Sequence, residues 1–118
     1  MTRIVDVLYF RDGGTVGVIL EDEKKKRTSF CFDRRLGSET PNRIYVGATH
    51  PENKGAKLVE KGSSLEETIL SSLRKALDVK HSPSEQKKLL RKESAADLQG
   101  EETKIWWILK ALEQYEAK

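Results

Sequence analysis

The sequence predicts an α+β fold, an N-terminal antiparallel meander followed by C-terminal helices packed on one sheet face. Three observations carry this. Up to Gly62 apolar residues recur with a period of about two, as strands require, and after it with the helical period of about 3.6. Glycine-bearing turns such as Asp12-Gly13-Gly14 punctuate the first part, whereas serine-led capping boxes punctuate the second. At 118 residues the chain has the length of one domain, 1–118, with a strand-rich half over 1–62 and a helical half over 63–118.

The first strand is read over Arg3 to Phe10, where Ile4, Val5, Val7, Tyr9 and Phe10 are β-branched or aromatic; a tight turn at Asp12-Gly13-Gly14 ends it. Thr15 to Glu21 forms the second strand, and the charged run Asp22 to Lys26 a second turn. Arg27 to Asp33 alternates, with Thr28, Phe30 and Phe32 on one face and Ser29, Cys31 and Asp33 on the other. Leu36 to Asn42 is turn-rich through Gly37, Ser38, Thr40 and Pro41, and a fourth strand follows over Arg43 to Ala48. After a polar loop, Lys57 to Lys61 adds a fifth, edge strand whose lysines discourage further pairing.

Ser63 with Glu66 and Ser64 with Glu67 offer overlapping capping boxes for a helix whose stripe is Leu65, Ile69, Leu70, Leu73, Ala76 and Leu77. Ser82-Pro83-Ser84-Glu85 starts a second helix. Its only large apolar residues up to Gly100, a natural stop, are Leu89, Leu90 and Leu98, so it covers the core lightly. Glu101 and Glu102 open a last helix with the stripe Ile105, Ile108, Leu109, Leu112 and Tyr115.

Composition narrows the function classes. Hydrophobic residues at 36% and charged residues at 35% imply a modest core under a heavily solvated exterior. The single cysteine, Cys31, cannot form an intrachain disulfide, and with two histidines it cannot complete a Cys/His zinc set. Its place in a β pattern marks it as a small buried hydrophobe. No dinucleotide fingerprint or P-loop spacing occurs, so no cofactor is expected and an enzyme is the less favoured class. The N-terminal stretch carries Arg3 and Asp6 and reads as no signal peptide, and the longest strictly apolar run, Ile105 to Leu109, is too short for a membrane span. A cytoplasmic protein without membrane partners is the expectation. The net charge of +3 comes from residues 1–62, with 12 Lys+Arg against 9 Asp+Glu, while residues 63–118 balance at 10 against 10.

Four surfaces stand out. Trp106 and Trp107 lie off the axis of the last helix's stripe and, with Lys110, form a candidate protein-partner or self-association interface, unless the middle helix and the sheet edge cover both rings. Tyr9, Phe30 and Phe32, with Lys25, Arg27, Arg34 and Arg35 near their rim, offer a stacking and basic face for single-stranded nucleic acid, unless these rings are the core beneath the helices. His50, Glu52 and Asn53 in the long loop are the candidate small-molecule site. Lys87, Lys88, Arg91 and Lys92, with Arg74, Lys75 and Lys80 upstream, read mainly as a solvated basic block.

Val7 to Ile19, VLYFRDGGTVGVI, resembles the opening two strands of a cold-shock domain, with Tyr9 where that family has a stacking tryptophan and Phe30 near its second aromatic motif. The resemblance implies an OB-like, partly closed barrel as the alternative sheet geometry. Val16 and Val18 stand where the family's paired stacking aromatics would be. The leading expectation is a non-catalytic module that self-associates or docks a protein partner through the Trp-bearing helix, with single-stranded nucleic acid binding as the alternative.

Overall fold

In the computed structural model, which describes residues 1–37 and 42–117, β1 (Arg3–Tyr9), β2 (Val16–Glu21), β3 (Arg27–Asp33), β4 (Arg43–Val46) and β5 (Lys57–Val59) precede α1 (Ser64–Lys80), α2 (Pro83–Leu90) and α3 (Glu101–Glu116). The strands form one antiparallel sheet in the order β1-β2-β3-β4-β5. It stays open and does not close into the OB-like barrel held as the alternative. Each connection is local, so consecutive strands pair by hairpins and nothing carries β5 back to β1. Ser38, Thr40 and Pro41 of the expected turn lie outside the described residues.

The first hairpin closes as its residues dictate. Phe10 N–H donates to the Thr15 carbonyl at 2.9 Å, Thr15 N–H donates to Asp12 Oδ1 at 3.1 Å, and Gly13 and Gly14 take φ of 120° and 102°, which side-chain-bearing residues avoid. In the second turn Asp22 Oδ1 accepts from Lys24 and Lys26 N–H, both at 2.9 Å. β4 stops at Val46, short of the expected Ala48, because Gly47 turns the chain with a φ of 94°.

Register assigns the two faces. Tyr9 opposes Val16, Val16 opposes Phe32, Phe32 opposes Ile44 and Ile44 opposes Val59, so these residues form one row. The next row on the same face runs Val7, Val18, Phe30, Val46. Phe30, Phe32, Ile44, Val16 and Val18 are fully buried there. α3 crosses the strands along the first row: Trp107 stacks on Tyr9 of β1, and Tyr115, two turns later, meets Phe32 of β3 edge-to-face at 5.9 Å. Ile105, Ile108, Leu73 and Leu77 complete the core from the helical layer. The Tyr115 hydroxyl donates to Glu66 near the start of α1 and locks the two long helices together; burial first, then this bond, pushes the Tyr115 pKa up.

Two helical expectations are corrected. Leu65, placed in the α1 core stripe, is 45% exposed, because the first turn overhangs a cleft of 210 Å³ between α1 and the β2–β3 end of the sheet, floored by Leu20, Phe30 and Ile69. The middle helix does not run on to Gly100. It ends at Leu90 with Leu89 as its one buried residue, and the chain continues through a 3-10 turn at Ala95–Asp97 that Ser94 caps. So short a helix with so little apolar surface depends on tertiary contacts to stay in place.

Candidate functional site

The helix-borne candidates separate into two roles. Trp106 Nε1 donates to the Lys92 carbonyl at 3.1 Å, and Lys110, one turn further along α3, donates from Nζ to the Leu90 carbonyl at 2.9 Å while lying 5.6 Å from the centre of the Trp106 ring. The Leu90 carbonyl is the last of α2, where no intrahelical donor is available, and the Lys92 carbonyl lies two residues beyond it. Trp106 and Lys110 therefore brace α2 against α3. Trp107 points about 100° round the helix and stacks on Tyr9 with ring centroids 4.6 Å apart and planes 20° apart. The middle helix and the sheet edge thus each partner one indole, and both rings stay partly buried.

The nucleic-acid face is corrected in part. Tyr9, Phe30 and Phe32 do share a face, but α1 and α3 cover it, and Phe30 and Phe32 are 0% exposed, so neither can stack on a base. Only Tyr9 reaches solvent, at 43% exposure, because β1 is an edge strand. The basic rim is divided too: Lys25 and Arg27 sit at one end of β3 and Arg34 and Arg35 beyond the other, about 20 Å away for a strand of this length. Arg27 and Arg3 flank Glu21 at 3.1 and 2.9 Å, and those bonds hold the Glu21 carboxyl below its ordinary pKa. Arg35 grips Asp33 through Nε and Nη2 at 2.9 and 3.0 Å and also meets Glu52 at 3.3 Å; the Asp33 bonds push the guanidinium pKa up.

The loop containing His50 folds over the second sheet face. Thr49 rests on Gly17 of β2 so closely that a Cβ on Gly17 would lie 2.5 Å from the Thr49 carbonyl oxygen. His50 Nε2 is 2.8 Å from Asp12 Oδ2, Nδ1 accepts the Glu52 N–H at 3.2 Å, and the ring meets Phe10 edge-on at 4.7 Å. With Nδ1 accepting a backbone hydrogen bond, Nε2–H is the donor to Asp12. Burial pushes the Asp12 carboxyl up, but the bonds from His50 and Thr15 outweigh it and hold the pKa below the ordinary value. Both ring nitrogens are engaged, Nε2 in fastening the loop to the first hairpin and Nδ1 in closing the loop's own turn, which leaves none directed at a substrate. Glu52 and Asn53 are exposed, and the Asn53 backbone closes the turn with His50 and Ala56. Cys31, beside Gly17 in the same row, is fully buried, and burial pushes its thiol up to about 12.

The arrangement sequence reasoning missed is the corner where β1, the first hairpin and the end of β3 meet. Tyr9 Oη and Arg34 Cζ lie 3.4 and 3.6 Å from where a Gly14 Cβ would be, and Leu36, 85% exposed, lies against Gly13. Tyr9, Trp107 and Arg34 thereby collect at one place from three elements. Adjacent glycines at a hairpin tip next to an aromatic strand end were the available sign. No protein-family model matches this chain, and no curated protein or solved structure matches it. Among the described residues no helix is long and apolar enough to cross a membrane, and no cluster of His, Cys, Asp and Glu could hold a metal ion.

Proposed function

We propose that the protein is a non-catalytic binding module that docks a protein partner at the seam between β1 and α3, with the Tyr9–Trp107 stack as the anchor. Trp106 and Lys110, the other residues of the expected interface, act as the internal brace that holds α3 in position. The observation that carries the reading is that stack, two large rings in face-to-face contact with Tyr9 still 43% in water. An exposed edge of a rigid aromatic pair binds at low entropic cost, because the rings are already ordered by each other. Tyr, Trp and Arg are also the residue types that dominate binding energy at interfaces, and Leu36 extends the apolar surface beside them.

The test is affinity capture followed by reconstitution with the purified partner, comparing the wild type with Tyr9→Ala and with Lys75→Ala on the exposed side of α1. Tyr9→Ala is expected to weaken association by about tenfold or more, Lys75→Ala to leave it unchanged, and Trp107 emission to shift to the blue on binding. Sedimentation over a range of concentrations separates the two occupants: a wild-type oligomer that Tyr9→Ala returns to monomer assigns a second copy of this chain. Tyr9→Ala indistinguishable from the wild type in both assays removes the seam.

A further inference from the structure

The Arg34 guanidinium is half-buried, yet among the described residues it forms no ion pair and no hydrogen bond, while its neighbour Arg35 is held by two carboxylates. Asp12, in the same hairpin as Gly14, is committed to His50 and Thr15 N–H. Taking a cation partly out of water without a counter-charge costs free energy, and burial accordingly pushes the Arg34 pKa down. That cost is removed when an anion arrives. The Tyr9 hydroxyl and the guanidinium both come within 3.6 Å of where a Gly14 Cβ would stand, so the two groups converge beside a residue that places no side chain against them. A hydroxyl donor and a planar guanidinium fork together suit an oxyanion.

We infer that Arg34 and the Tyr9 hydroxyl, converging beside Gly14, form the seat for an oxyanion, a carboxylate or a phosphate, carried by an acidic peptide segment docked at the seam. This deepens the docking reading and rests on it. It also selects between occupants. A two-fold contact of this patch with itself would bring Arg34 and the exposed Arg11 of one copy against the same cations of the other, and like charges brought together in this way oppose association. An acidic partner meets complementary charge instead.

The test titrates inorganic phosphate and acetate, in separate arms, into the intact protein against chloride at matched ionic strength. The readouts are the Arg34 Nε–H resonance and, for the Arg34 variants as well, the Trp107 indole resonance, with the Trp106 indole resonance as internal reference. The expected result is a saturable millimolar shift at Arg34 and Trp107 but not at Trp106. Arg34→Gln should weaken it by about tenfold or more, and Arg34→Lys should retain part of it. The tighter arm identifies the anion, phosphate for a phosphorylated segment and acetate for a side-chain carboxylate. A shift that chloride reproduces, or that persists in Arg34→Gln, overturns the seat. Partner docking that survives Arg34→Gln but not Tyr9→Ala likewise overturns the seat while leaving the seam; docking that survives both removes the seam itself.

Discussion

Replacing Trp106 separates bracing from docking, because its indole contributes to stability in two ways that different substitutions remove. Trp106→Phe keeps a ring over Lys110 but loses the Nε1 donor to the Lys92 carbonyl. A neutral hydrogen bond nets about 0.5–1.5 kcal/mol, and since Lys92 is exposed, water recovers part of that loss, so the lower half of the range applies. Trp106→Ala also removes the ring. A tryptophan buries roughly 200 Å² when fully enclosed. About half of that, at ~25 cal/mol per Å², adds about 2.5 kcal/mol. The expected losses are therefore about 0.7 and about 3 kcal/mol, or melting points lower by about 3 °C and about 12 °C for a chain of this size. Denaturant melts measure the losses, and hydrogen exchange at Arg91 to Glu93 shows whether the end of α2 loosens. Docking at Tyr9 should be unchanged in the phenylalanine variant. An alanine variant as stable as the wild type would falsify the brace, since it would mean the indole contributes no buried surface.

Three further outcomes follow from the geometry. In β1, Val7 N–H donates to the Asp6 carboxylate at 2.8 Å beside an irregularity in the pairing, and Lys104 reaches the same carboxylate at 3.4 Å, so the outer edge of the sheet is closed off locally. Asp6→Val should expose that edge and give concentration-dependent association by sedimentation; a strictly monomeric variant at high concentration would refute the edge-guarding role. Gly17→Ala forces the 47–56 loop off the sheet, since Thr49 backbone stands 2.5 Å from the new Cβ, and should cost about 1–3 kcal/mol with faster exchange in that loop; wild-type stability would show that the loop does not rest there. Because the folded Asp12 pKa lies below its ordinary 3.8, its bonds stabilise the fold above that value and stop doing so as the pH falls through the folded pKa. Asp12→Asn should therefore be destabilised at neutral pH by an amount that vanishes in acid, and a pH-independent difference in urea melts would contradict the pairing with His50.

The elements themselves were legible because strand period, hairpin chemistry and helix caps act within a few residues. Ser82 with Glu85 forms the capping box its spacing announces, and Thr28, Phe30 and Phe32 share a face as alternation requires. The exposure of Leu65 was not legible, since periodicity shows which face of α1 is apolar and not how far its first turn projects beyond the sheet. The fate of the two indoles was equally hidden: a helix apolar on several sides needs several partners, and only the packing shows that Trp106 meets the end of α2 while Trp107 meets Tyr9.

From its own residues the chain determined an antiparallel meander followed by helices, with Cys31 and the rings of Phe30 and Phe32 alternating across β3. Tertiary structure decided which face the helices cover, and so which rings remain in water. It also brought Tyr9, Gly14, Arg34 and Trp107 to one corner, and the His50 loop onto the opposite face. The physical reason is range: local patterns fix a residue's direction relative to its own element, whereas burial and charge pairing depend on neighbours far away in the chain that the fold alone brings near.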